Sequence, residues 1–202
     1  MTAETTIFKE HLIQAARRAY QIGLQTGNGG NLSCRVPGTE RLLIKGSGVS
    51  FGECTQDNVV TIDYQGKVVG QGGKPSRELL THLCIYQQRP DIGAIFHAHS
   101  PWSIAYAEDS LEIPLITGHV KAKLGPIPVI FESGQATSDF TDAVRTLLVQ
   151  HPGLGAFVQR GHGIFSLGRD ITHAEHNAEL VEETAQIAFL IGLKQNGAGS
   201  SV

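Results

Sequence analysis

Two histidines one residue apart, His97 and His99, end an apolar run that reads I-F-H-A-H-S from Ile95 to Ser100. On a β-strand successive side chains alternate, so Ile95, His97 and His99 share one face while Ala94, Phe96 and Ala98 share the other. Paired imidazoles facing a core lose solvation unless their nitrogens find a partner, and a divalent metal ion is the commonest such partner. A catalytic site of this kind takes three protein ligands and keeps one position open. Among the other histidines, His162 is the best third ligand, because it follows the run A-F-V-Q-R and stands between Gly161 and Gly163. Flanking glycines free the backbone and let another group come close. His173 and His176 form a second pair at a three-residue helical spacing, but Glu175 and Glu179 mark that face as charged, and a solvated face is the simpler account.

Glu78 is the candidate acid. A helix is expected from Ser76, an N-cap after Pro75, to about Gln88, which puts Glu78 in its first turn beside the positive end of the macrodipole. His82 lies one turn further on the same face, suited equally to support the site or to fill the core. The loops G-N-G-G-N and G-S-G, and Ser76-Arg77 at a helix start, can offer amides, a hydroxyl and a guanidinium to an anion. No P-loop and no dinucleotide fingerprint is present. Lys45, Lys121 and Lys123 could add charge, although solvated surface lysines are the plainer reading.

These residues must be carried by a frame. A first helix is expected from Thr6, as its cap, to Gly23, with Phe8, Leu12, Ala15, Ala16 and Ala19 as its apolar stripe. L-S-C-R-V and R-L-L-I-K read as strands, and V-V-T-I-D-Y with Q-G-K-V-V-G reads as a hairpin turning at Gln65-Gly66. W-S-I-A-Y-A-E reads as a short helix, I-P-L-I and I-P-V-I as extended pieces, Ser138 to Gln150 as a helix, and G-A-F-V-Q-R as a strand ending on G-H-G. A long amphipathic helix runs from about Asp170 to Leu193, before a frayed tail N-G-A-G-S-S-V. Strands and helices mix without a strict β-α-β rhythm, which predicts an α/β sandwich with a mainly antiparallel sheet in a single domain over 1–202.

The 202 residues, 41% hydrophobic and 17% charged, describe an ordinary globular chain with a substantial core. A net charge of -3 gives no electrostatic reason to expect nucleic acid or an anionic membrane. Three scattered cysteines without C-x-x-C argue against disulfides and thiolate zinc, and no leader or membrane-spanning stretch is visible, so a cytoplasmic location is expected.

Taken in order, G-N-G-G-N-L-S, K-G-S-G, K-P-S-R-E with a histidine four residues after the glutamate, H-A-H-S and R-G-H-G resemble the class II aldolase and adducin head domain family, over nearly the whole chain. That family includes fuculose-1-phosphate aldolase-like enzymes, ribulose-5-phosphate 4-epimerases and methylthioribulose-1-phosphate dehydratases. The resemblance implies a three-layer α/β/α sandwich around a central mainly antiparallel sheet, assembled as a homotetramer with sites between subunits. It implies that His97, His99 and His162 bind zinc or another divalent transition metal and that Glu78 is the acid/base. Asn31, Ser47, Gly48 and Ser76 would hold a substrate phosphate, with Arg77 standing where many relatives have a second serine. The family's tyrosine proton donor, supplied by the neighbouring subunit, has no counterpart in I-P-L-I-T-G-H-V-K-A-K, where His119 is the nearest polar replacement. The implied activity is that of a class II aldehyde-lyase of carbohydrate metabolism. It would cleave a phosphorylated ketose by a retro-aldol step to dihydroxyacetone phosphate and an aldehyde, through a metal-stabilised enediolate. The same parts would serve a sugar-phosphate epimerase or dehydratase, or a sugar-acid phosphate decarboxylase. A non-enzymatic adducin-like module would be expected to lose the histidines and Glu78, which remain here.

Overall fold

Alternation decides the central strand. In the computed structural model, which describes residues 3–70, 73–131 and 137–198, β4 spans Ala94–Ala98 and is buried throughout. Ala94, Phe96 and Ala98 pack into one core, and Ile95 into a second on the opposite face. Its neighbours are β1 (Asn31–Val36) and β8 (Gly163–Gly168), both antiparallel, with Asn31 opposite His97 and Phe165 opposite His97 from the other side. Outward from β1 come β2 (Arg41–Lys45) and β3 (Val59–Asp63). Outward from β8 come β7 (Ala156–Gln159), β6 (Ile127–Ile130) and the two-residue β5 (Glu112–Ile113). The described sheet therefore has eight strands in the order β3-β2-β1-β4-β8-β7-β6-β5, and only β6 with β7 is parallel.

Helices cover both faces. On the Phe96 side lie α1 (Ala3–Gln21), α3 (Pro101–Ala107), α4 (Gly118–Lys123) and α6 (Ile171–Ala198), contributing Leu12, Ala16, Ala107, Val120, Ala174, Ala178 and Val181 to the core. On the Ile95 side lie α2 (Leu79–Gln88) and α5 (Ser138–Gln150), which bring Leu83, Ile85, Phe140 and Val144 against Phe157, Phe165 and Ile44. This is the expected three-layer α/β/α sandwich around a mainly antiparallel sheet. The alanines of α6 recur at helical spacing, and their small size lets this long helix lie close to the sheet.

Several boundaries differ from expectation for local reasons. Thr6 lies inside α1, which begins at Ala3, so it does not cap the helix. The expected hairpin has no second strand; after Gln65-Gly66 a single bridge joins Val68 to Ile62. Helix α2 starts at Leu79, three residues after Ser76, because the backbone at Pro75 is paired with Gly46 and must turn before the helix can begin. The Ser76 hydroxyl accepts from the Glu78 amide within that turn, and Glu78 becomes the N-cap residue. The sequence pattern does not mark strand β8 or helix α4 as elements. I-P-L-I contributes only its first residue to β5, and α6 continues to Ala198 through part of the tail expected to fray. The rest of that tail lies outside the described residues.

Gly163 allows β8 to start beside the end of β4. Its φ is +150°, and a Cβ there would sit 2.1 Å from the Ala98 carbonyl oxygen. Gly163→Ala is therefore expected to destabilise the fold by about 2–4 kcal/mol, from backbone strain and overpacking together. Denaturant unfolding should show a lower midpoint with an unchanged slope.

Candidate metal centre

Three loops meet over the ends of β1, β2 and β4 and enclose a cleft of about 420 Å³, counting its open mouth. Residues 28–31 enter from before β1, 45–48 from after β2 and 76–78 from before α2, and His99 and His162 complete the wall. The loops are tied to one another by main chain. Ser47 N–H donates to the Lys74 carbonyl at 2.9 Å and Gly46 N–H to the Asn58 carbonyl at 2.7 Å. Gly48, at φ +77°, reverses the chain at the cleft edge, where an L side chain would be strained. Lys45 underlies this loop and is almost completely buried, donating to the carbonyls of Gly46, at 3.2 Å, and Val49. It is not the solvated lysine expected for it; Lys121 and Lys123 are exposed.

Inside the cleft the imidazoles converge. His97 and His99 leave the end of β4 on the α2 side, with their Nε2 atoms 3.1 Å apart. The ring centroid of His162 lies 4.6 Å from each of theirs. One donor nitrogen from each of the three lies within 4.8 Å of the others. Nitrogens sharing one ion at about 2.0–2.1 Å in tetrahedral geometry stand about 3.3 Å apart, so the 3.1 Å pair fits.

The far ring nitrogens of His97 and His162 are fixed. His97 Nδ1 lies 2.8 Å from the Ile164 carbonyl, and His162 Nδ1 lies 2.6 Å from Gln159 Oε1. Both oxygens accept, so each Nδ1 carries the proton and each Nε2 faces the site bare, as ligation requires. His97 stacks on Phe165 with centroids 4.1 Å apart. Gln25 Oε1 accepts from the His99 amide at 2.7 Å, and a Cβ on Gly29 would lie 2.6 Å from His99 Nδ1.

Glu78 enters the same space from α2. One carboxylate oxygen, Oε2, accepts from Asn31 Nδ2 and lies 3.2 Å from His97 Nε2; the other, Oε1, is 3.4 Å from His162 Nε2. Buried Oε1 has no hydrogen-bond partner among the described residues, and neither does Asn31 Oδ1. Bare Nε2 atoms on His97 and His162, the adjoining His99 imidazole and a carboxylate with an unpartnered oxygen are a donor set that suits a divalent transition metal.

Asn31, Ser47, Gly48, Ser76, Arg77 and Glu78 line the cleft together with His99 and His162, and buried His97 stands directly behind them. His119 does not join them; it is exposed on α4 and lies outside this lining. Nothing in the sequence pointed to Gln25, Gln159 or the burial of Lys45, since their roles arise from chain segments that meet only in the fold. The second cluster, Glu175 with His176 and Glu179, is occupied by Arg18 of α1, which pairs with Glu175 at 2.9 Å and also with Glu179. Glu175 is buried there, so that face of α6 is a helix-helix contact as well as a charged one.

Burial sets the electrostatics. It pushes His97 and His162 down to about 3, with neighbouring imidazoles adding to the effect, and lowers His99 less, where the Glu78 charge opposes it. His82, fully buried under the site, is likewise pushed to about 3 by burial. Lys45 is lowered to about 8, also by burial, and so keeps most of its charge at neutral pH. Because three histidines refuse protons that the unfolded chain accepts near its ordinary value of 6.5, stability is full above that value and is lost as pH falls toward about 3. The metal-free protein should lose stability steadily as pH falls through this window, read as a falling urea midpoint between pH 7 and pH 4.

The chain is similar to known proteins over most of its length. Residues 10–189 match the family described as Class II Aldolase and Adducin N-terminal domain. L-ribulose-5-phosphate 4-epimerase UlaF of Salmonella paratyphi C is 31% identical over 196 residues, covering 90% of this chain and 84% of that protein. Among solved structures, YgbL of Klebsiella pneumoniae is 28% identical with a TM-score of 0.85, covering 95% of this chain and 92% of that one. An L-fuculose 1-phosphate aldolase is 27% identical with a TM-score of 0.85, covering 95% and 88%. A family match across most of the chain, joined to relatives of nearly equal span, makes this protein a member of the class II aldolase and adducin N-terminal domain family.

Proposed function

We propose that the protein is a divalent-metal enzyme acting on a small phosphorylated ketose, that zinc is its ion, and that the reaction inverts the carbon two bonds from the carbonyl. The observation that carries this reading is the convergence of His97, His99 and His162 with the Glu78 carboxylate at the floor of a cleft rimmed by anion-binding groups. A hydrogen on that carbon is not acidic, so inversion there needs the carbon-carbon bond beside it to break and re-form. An ion held by His97, His99 and His162 would supply a Lewis acid for the carbonyl oxygen. Glu78 takes the hydroxyl proton of the carbon being released and returns it after the aldehyde has turned over. Asn31 holds one Glu78 oxygen, and the unpartnered Oε1 is the one free to move the proton.

The phosphate end is assigned to Ser47, the Gly48 amide, Ser76, Asn31 and Arg77, which line the cleft with buried Lys45 below them. Arg77 is exposed at the rim, where a guanidinium can form a bidentate pair with an anion. His119 is kept as a group donated by a neighbouring copy in a homotetramer, because it is exposed on α4 and lies outside the cleft of its own chain.

The 31% identity to an L-ribulose-5-phosphate 4-epimerase favours epimerisation. Retro-aldol lysis, releasing dihydroxyacetone phosphate and an aldehyde, is the second reading, favoured by the likeness to L-fuculose 1-phosphate aldolase. The two differ in whether the aldehyde leaves. Protein purified without chelator should hold one zinc per chain and convert L-ribulose 5-phosphate to D-xylulose 5-phosphate. Release of dihydroxyacetone phosphate from a ketose 1-phosphate, with no epimerisation, would select the lyase; neither reaction in zinc-loaded protein would sink both. His97→Ala and His162→Ala should lose the metal and at least about 1000-fold in kcat/KM, the scale of removing a main electrostatic stabiliser. Arg77→Ser should raise KM for a phosphorylated substrate about 10-fold and leave kcat within about 3-fold, the pattern of lost uniform binding.

A further inference from the structure

Polar pairs join α2 to β1 in matching order. Asn31 Nδ2 donates to Glu78 Oε2. Two residues on, Ser33 Oγ lies 2.7 Å from His82 Nδ1 and 2.8 Å from the Tyr86 hydroxyl. Two further on, Arg35 donates to the Tyr86 carbonyl at 2.7 Å, and its guanidinium lies 4.7 Å from that ring's centroid. Four helical residues advance about 6 Å and two strand residues about 6.7 Å, so positions 78, 82 and 86 keep step with 31, 33 and 35.

This seam runs through a buried layer. Asn31, Ser33, Glu78, His82 and Tyr86 are all buried, and apolar groups would hold helix to sheet there without the desolvation that polar ones incur. What hydrogen bonds add is direction. The His82 ring also stands edge-on to Phe165, with centroids 6.4 Å apart, and Phe165 is the ring on which His97 stacks. His82 Nε2 has no hydrogen-bond partner among the described residues, so the polar tie of this ring runs through Nδ1 to Ser33.

We propose that His82 is a positioning residue. Through Ser33 it fixes where α2 sits along β1, and thereby sets the Glu78 carboxylate, one helical turn earlier, against His97 and His162. The inference rests on the reading of Glu78 as the acid/base, and it gives work to a histidine that touches neither substrate nor metal in that reading.

The test compares His82→Phe, His82→Asn, His82→Gln and Ser33→Ala in zinc-loaded protein. Asparagine can put a nitrogen where histidine has Nδ1, and glutamine puts one where it has Nε2. His82→Phe and Ser33→Ala should lower kcat roughly 10–100-fold, the penalty of a misplacement near 1 Å, with KM within about 2-fold and zinc content unchanged. His82→Asn should recover most of the loss and His82→Gln should not. Unchanged kcat in both His82→Phe and Ser33→Ala, equal recovery by glutamine and asparagine, or zinc lost in step with activity would each overturn the proposal. Ser33→Ala, the smaller change, decides the matter if His82→Phe does not fold. Crystal structures of metal-free Ser33→Ala and wild type separate this inference from the functional reading. A Glu78 carboxylate that stays within about 0.5 Å refutes the positioning role whatever the reaction, 0.5 Å being the tolerance of a working site. Full activity in Glu78→Gln would instead refute the acid/base reading alone.

Discussion

A buried carboxylate set among imidazoles that stay neutral is the imbalance around which this molecule is arranged. Glu78 has hydrogen-bond distance to His97, and a slightly longer approach to His162, yet burial holds both rings far below their ordinary protonation range. Neither imidazole can serve as the cation that a buried carboxylate needs at neutral pH. Asn31 supplies one hydrogen bond and no charge. A divalent ion held by the four side chains would supply the missing positive charge, and the Nε2 atoms of His97 and His162 mark where it would sit. Stability and function oppose each other here: the apolar layer that makes the core also makes the site an intolerant place for a proton.

The rest of the fold keeps that imbalance in register. β4 lies fourth of eight strands, with β1 and β8 paired to it on either side, so Asn31, His97 and the start of β8 after His162 are fixed by ladder hydrogen bonds. His97 lies on β4, and His99 and His162 directly adjoin the ends of β4 and β8, but Glu78 neither lies on a strand nor adjoins one. It sits in the turn before α2, and its place depends on the backbone pairing at Pro75 and on the contacts α2 makes with β1. The anion-binding loops share this scaffold, because Lys74 joins the loop after β2 to the segment that leads into Glu78.

Local pattern made much of this legible in advance. The period of two at His97 and His99, the glycines around His162 and the helical spacing from Ser138 to Gln150 each report a constraint contained within a few residues. The α5 limits agree to the residue. Less visible were features set by distant contacts. G-I-F-S-L-G has a glycine at each end and little alternation, and becomes a strand because β4 and β7 flank it. Lys45 looks like a surface lysine until the loop that follows folds back over it and presents carbonyls. Gln159 and Gln25 hold the histidine shell in place from sequence positions that carry no pattern of their own. His119 is exposed on α4 and lies outside the cleft.

The pairing of β4 with β8 has a consequence in time. His97 lies opposite Phe165, so the third imidazole reaches the first two only after a segment of more than sixty intervening residues has been gathered and the strand between β4 and β7 has been inserted. Contacts of such long sequence separation form late, after the local helices and neighbouring hairpins. Strands β1, β2, β3 and β4, all in the N-terminal half, carry or adjoin only two of the three imidazoles. The third donor is thus the last to be brought to the site, and the convergence of the three imidazoles exists only in the finished sheet.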